Sequence, residues 1–168
     1  QKRGLRQTMT NGGNAVITPD KPGAAPELTD TRYASSDFFA MFDVPLKYGR
    51  GWTAAEDEAK ARVAVLSKEV NDKQFGGADS TGKTLRIDGN EFRIIGVLGT
   101  WRLAPRFYDL YNDSYGKTEG VFLPFSTSRD LTMGTQGSTN CWGDSGGDSH
   151  SLTAPCAWVQ YWVELETP

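Results

Sequence analysis

Chemically versatile side chains are scarce in this 168-residue chain, which has one histidine, His150, and two cysteines, Cys141 and Cys156. Two thiols separated by a long loop that holds the only imidazole lack the usual zinc-ligand spacing, so no metal site is expected. Long apolar runs are missing too. The longest, around residues 94–98, falls far short of the ~20 residues that cross a bilayer as a helix. Neither sign of charge dominates: 18 Lys and Arg face 21 Asp and Glu, a net charge of −3 that does not indicate a nucleic-acid partner. Residues 1–4 are not followed by an apolar stretch, so no signal peptide is read. The abrupt ends, with a strand expected at 159–166, suggest an excised piece of a larger protein. No internal repeat or heptad is present.

What is there suits one domain or two small subdomains. The hydrophobic content of 38% is adequate for a core, and 19 Gly with 8 Pro indicate many turns. Strands are expected at 14–18 and 28–34, on either side of a Pro-rich linker over 19–26. Ser35 or Ser36 is expected to cap a short helix over 37–42. Thr53 and Glu56 form a capping box opening a helix to about Lys60, with carboxylates at 56, 57 and 58 in its first turn. Residues 63–66 read as a buried strand. Ser67 caps a helix that Gly76 and Gly77 end in a left-handed turn. A hairpin about Asp88-Gly89 spans 84–98. A strand follows at 121–125, and Ser126 is expected to cap a last helix to Leu131. Residues 132–156 show no period.

Residues 77–84 match the phosphate-loop pattern G-x-x-x-x-G-K-T, with Gly77, Gly82, Lys83 and Thr84 in register. That chemistry needs a buried strand before the loop and a helix after it, whose N-terminus meets the phosphates. Here a polar, helix-like segment precedes the motif, and the alternation of Leu85, Ile87, Phe92 and Ile94 follows it. A turn before a hairpin is therefore expected, with Lys83 exposed and no nucleotide bound.

A second motif, 141–148 (CWGDSGGD), resembles the nucleophile segment of chymotrypsin-like proteases, where Gly and Ser amides form the oxyanion hole. Asp148 replaces the usual Pro, and His150 stands just after Ser145 with nothing to orient it as a base. A Gly-rich surface loop is the plainer reading. Asp144 and Asp148 offer oxygens for Ca²⁺, yet the alternation of ligands with a bidentate Glu is missing. Cys141 and Cys156 flank this loop. They are a free surface pair, or a disulfide if the compartment is oxidising, which favours a periplasmic or extracellular location.

Residues 101–111 are dense in the types that dominate interfaces: Trp101, Arg102, Arg106, Phe107, Tyr108 and Tyr111 are the candidate partner contacts. The alternative is that these rings cover the open face of a small sheet, and one loop can do both. Trp158, Tyr161 and Trp162, at strand spacing around Val159 and Val163, read as sheet packing.

Taken in order, Ser36-Asp37-Phe38-Phe39-Ala40-Met41-Phe42, Gly49-Arg50, the 53–57 helix start, Arg62-Val63-Ala64-Val65-Leu66, Gln74-Phe75-Gly76-Gly77, the 80–87 segment, Phe92-Arg93-Ile94-Ile95-Gly96-Val97 and Val121-Phe122-Leu123-Pro124-Phe125 resemble the extracytoplasmic domain of MacB/FtsX-like permeases of ABC transporters. No single piece is diagnostic; the ordered set over residues 30–125 carries the resemblance. It implies an α+β fold. A β-rich subdomain with short helices, 31–131, is attached to part of a small porter-like α/β subdomain made by 1–30 and 157–168. The Cys-flanked loop 132–156 lies outside the family pattern. The resemblance further implies a non-enzymatic domain between transmembrane helices of a permease, without a cofactor of its own. ATP would act only on a separate ATPase domain or subunit. Expected partners are that ATPase, the permease's transmembrane helices and, in many members, a periplasmic adaptor; substrates in the family include macrolides, peptides, toxins and lipoproteins. The competing readings are a secreted module binding peptide or glycan through 101–111 and, third, a hydrolase using Lys83 or Ser145.

Overall fold

The computed structural model describes residues 4–20, 23–110 and 114–166. The strands are β1 (Arg6–Thr18), β2 (Glu27–Ala34), β3 (Leu46–Gly49), β4 (Val63–Leu66), β5 (Thr84–Ile87), β6 (Asn90–Leu98), β7 (Val121–Pro124), β8 (Asn140–Cys141), β9 (Cys156–Ala157) and β10 (Gln160–Glu164). Among the described residues short helices intervene: α1 (Phe38–Met41), α2 (Ala54–Glu58), α3 (Lys68–Phe75) and α4 (Phe125–Asp130), with a 3-10 turn at Phe107–Asp109. The α+β, strand-rich class is as expected.

Strand pairing runs β10-β1-β2-β7-β4-β6-β3, and β5 pairs with both β1 and β6. The contacts Ile17↔Ile87 and Leu85↔Phe92 therefore close β1, β2, β7, β4, β6 and β5 into a ring. Closure explains the burial of β4 and β7, every residue of which is buried. Ala64, Leu66, Val121 and Leu123 point to one apolar cluster with Ile17, Ile87, Phe92 and Ile94. Val63, Val65 and Phe122 point the other way, onto Phe38, Phe39, Trp52 and Tyr108. Strands buried on both faces lose the alternation of a half-exposed strand and read as continuous apolar runs.

The local signals behave as their chemistry requires. Glu56 N–H donates to Thr53 Oγ1 (3.2 Å) and Thr53 N–H returns to Glu56 Oε2 (2.8 Å), completing the capping box. Val70 N–H donates to Ser67 Oγ (3.1 Å), and Gly76 ends α3 at φ 68°. Asp88 and Gly89 both take positive φ, 47° and 75°, as a tight hairpin requires.

Some expectations need correction. Neither Ser35 nor Ser36 caps α1; its N-cap is Asp37, which makes no capping bond. Asp37 Oδ2 instead accepts from Gln7 N–H (2.9 Å) and Ser35 Oγ from Met9 N–H (3.1 Å), because docking onto β1 outcompetes local capping. Ser126 does not cap α4, whose N-cap is Pro124; its N–H donates to Asp57 Oδ1 (3.1 Å), tying α4 to α2. Helix α2 stops at Glu58, before the positive φ of Lys60. The first strand begins at Arg6 rather than Asn14 because β10 and β2 flank it on both sides.

Candidate functional site

The most highly organised polar group lies under the sheet. Arg32, in the middle of β2, is 1% exposed. Its Nε and Nη2 donate to Glu119 Oε1 (3.1 and 2.6 Å), and Nη2 also donates to Asp109 Oδ2. Arg106 Nη1 reaches the same Glu119 oxygen (3.1 Å), and Tyr108 Oη donates to Glu119 Oε2 (2.8 Å). Two arginines and two carboxylates thus form a neutral buried cluster, continued by Gln160 Nε2 to Asp109 Oδ1 (3.3 Å). Burial by itself lowers the pKa of the Arg32 guanidinium, but Glu119 and Asp109 more than offset this and raise it, so the ion stays charged. Burial, with the Glu119 charge beside it, pushes the Tyr108 hydroxyl well above its ordinary value.

The cluster orients the 101–111 segment. Tyr108 stacks on Trp101 with ring centroids 5.5 Å apart and meets Phe38 edge-on at the same distance, so part of the segment closes the second apolar cluster. Arg106 is buried beside Glu119. Arg102 is exposed, as are Phe107 (42%) and Leu110 (53%). The segment therefore divides into an inward set, Arg106 and Tyr108, and an outward set, Arg102 and Phe107, with Trp101 half-buried. Tyr111 lies outside the described residues.

Both catalytic motifs are occupied by structure. After Lys83 comes β5, a strand. The amides that would cradle a phosphate are already bound: Thr81 N–H to Asp79 Oδ1 (2.9 Å), Gly82 N–H to Ile94 O (2.8 Å) and Lys83 N–H to Ser80 O (3.0 Å). Lys83 is exposed, its ammonium 5.3 Å from the Phe75 ring centroid. In the second motif, His150 Nε2 faces Thr139 Oγ1 (3.2 Å) and Nδ1 faces Ser149 Oγ (3.5 Å), so neither nitrogen is directed at Ser145. Gly146 N–H, next to Ser145, is bound to Asp144 Oδ1 (2.9 Å), and Asp148 Oδ1 accepts from His150 N–H (3.0 Å). Both carboxylates that a Ca²⁺ site would use are thereby engaged in local turns. Among the described residues no three His, Cys, Asp or Glu side chains are grouped as a metal site would require.

Cys141 and Cys156 are joined in a disulfide, where β8 and β9 pair. Trp158 stacks on Phe125 (6.0 Å) under Arg129, and Trp162 meets Phe42 edge-on, consistent with sheet packing, whereas Tyr161 is exposed. Sequence reasoning did not single out Arg32, Asp109 or Glu119. The signal available was a charge on the inward side of a strand beside Tyr33 and Ala34, which burial forces to find a partner.

The family model for the MacB-like periplasmic core domain matches residues 5–165. Among curated proteins, a macrolide export ATP-binding/permease protein MacB of Wolinella succinogenes is 33% identical over 72 residues, 43% of this chain and 11% of its own length. A pyoverdine export ATP-binding/permease protein PvdT of Pseudomonas aeruginosa is 33% identical over 64 residues, 38% of this chain and 10% of its own. The chain thus spans only a small part of the length of these relatives. The periplasmic region of MacB from Actinobacillus actinomycetemcomitans has the same fold, with a TM-score of 0.59 at 20% identity, covering 80% of this chain and 55% of that one. A putative permease domain from Porphyromonas gingivalis aligns over 96% of this chain and 61% of its own, with a TM-score of 0.56 at 17% identity. Among the described residues no helix is long and apolar enough to cross a membrane.

Proposed function

This chain belongs to the MacB-like periplasmic core domain family, and we propose that it is a non-catalytic extracytoplasmic domain coupling ATP-driven motion of a permease's transmembrane helices to a periplasmic partner or substrate. It sits at the periplasmic face of the inner membrane, in efflux or in lipoprotein or peptide export. ATP acts on a separate ATPase domain or subunit, and a periplasmic adaptor is the expected contact. The family match over residues 5–165 carries this reading. Residues 31–131 form the β-rich subdomain, and 1–30 with 157–168 belong to a porter-like part. In support, β1 and β10 pair from Arg6↔Glu164 to Thr10↔Gln160, so the two end segments lie side by side.

Such a coupling domain needs a rigid link between its base and its partner surface. The buried cluster supplies one, because Arg32 in β2 holds both the 106–109 turn and Glu119. Phe107 and Leu110, exposed on that turn, are the proposed contact together with Arg102 and half-buried Trp101, while Arg106 and Tyr108, buried, hold the turn from behind. A photo-crosslinking side chain at Phe107 or Leu110 of the full-length protein should capture a periplasmic protein or substrate. The yield should change when ATP hydrolysis is abolished. No capture, or capture independent of hydrolysis, overturns the coupling role.

A further inference from the structure

The outer edge of β1 changes partners around Asn11. Strand β10 pairs with β1 as far as Thr10↔Gln160, and Gln136 N–H donates to Gly12 O (2.8 Å), leaving Asn11 between them. A cavity of about 380 Å³ opens at this gap, lined by Asn11, Gln136, Asn140 and Gln160 with Trp158 and Val159. We propose that this cavity binds a neutral saccharide of one or two rings.

The lining chemistry supports that class. Four amide-bearing residues line it, and a primary amide carries both N–H donors and a C=O acceptor, the combination that vicinal hydroxyls of a pyranose satisfy. Asn11 is only 5% exposed, yet its side chain makes no hydrogen bond to a described residue. Gln160 Oε1 is buried and has no donor among the described residues. Its orientation is set by Nε2, which donates to Asp109; the reversed amide would press oxygen against carboxylate. Arg32 borders the cavity, but Asp109 and Glu119 neutralise it, so a charged ligand gains no net partner there. Val159 offers apolar surface to the C–H face of a sugar, and Trp158, its ring packed against Phe125 and Arg129, lines the cavity beside it. The volume lies at the lower end of the ~300–1,000 Å³ of small-molecule sites. An extended peptide fits poorly, because strand addition needs a run of free backbone groups and Gln136 N–H already occupies Gly12 O at this edge. The walls at 136–140 and 157–160 are tied by the Cys141–Cys156 bridge, which holds their spacing.

The test is amide NMR titration of the 168-residue chain with N-acetylglucosamine, maltose and, as neutral peptide probe, N-acetylglycine N-methylamide. A saturable sugar response at the Asn11 and Gln160 side-chain amides is expected. Asn11→Ala should weaken it about tenfold, the loss of roughly one hydrogen bond. Asn140→Ala, on the exposed rim, keeps the test valid if Asn11→Ala fails to fold, and reducing the disulfide should also weaken binding. No saturable response to either sugar, a response centred elsewhere, binding by both variants as tight as the parent's, or preference for the peptide probe overturns the proposal. None of these outcomes bears on the transport role.

Discussion

Arg32 and Arg50 each hold a carboxylate through two nitrogens, but one pair is buried and the other lies in water. Arg50 grips Glu56 with two contacts of 2.7 and 2.8 Å, six residues along the chain, and its side chain is 53% exposed. Arg32 grips Glu119, 87 residues away, with almost none of either side chain exposed. Similar geometry has different consequences. In water the ions lose little when separated; in the core, removing one leaves a charge that nothing else solvates.

The sharpest way to break the comparison is Arg32→Met. It should cost about 3–5 kcal/mol, the usual penalty for stranding buried charges, read as a lowered urea midpoint. Arg32→Met combined with Glu119→Leu removes one charge of each sign, so the cluster stays neutral, and should be less damaging than Arg32→Met alone; strict additivity would show that the cluster is not coupled. Next comes the covalent tie. Cys141→Ser with Cys156→Ser, or reduction, should cost about 3 kcal/mol through the freed unfolded chain, for a loop of this length. A thiol titration should find no free thiol before reduction.

The smallest effect belongs to the exposed pair. Arg50→Ala should cost about 0.2–1 kcal/mol near neutral pH. The Arg50 hydrogen bond, helped by Thr53 N–H, lowers the Glu56 carboxyl to about 2. Its folded value lies below the ordinary one near ~4.3, so the stabilisation is complete above that pH and disappears as pH falls toward about 2. The stability gap between the parent and Glu56→Gln should close over that window. A gap that persists in acid would assign the effect to helix capping rather than charge.

The same contrast explains what was legible. Thr53, Glu56, Ser67, Gly76 and the Asp88-Gly89 turn act within a few residues, so local chemistry announces them. The phosphate-loop likeness fails on local grounds as well, since the alternation after Thr84 is that of a strand rather than of the helix the motif needs. Ser35 and Ser126 misled because their bonds go to β1 and α2, elements remote in sequence. The segment 101–111 was visible as an aromatic, Arg-rich stretch, but its division into inward and outward sides was not, because Glu119 and Arg32 impose it.

By itself, then, the sequence determined the Thr53 capping box, the Ser67 and Gly76 ends of α3, the hairpin, the strand-rich class and the strand that follows Lys83, all consequences of interactions a few residues long. Only the tertiary structure decided that β5 closes the ring onto β1, that Arg32 meets Glu119 and Asp109, and that an amide-lined cavity opens beside Asn11. Those depend on which distant segments become neighbours when apolar surface is buried, and on the rule that a charge carried into the core must find its counterion wherever the chain happens to bring it.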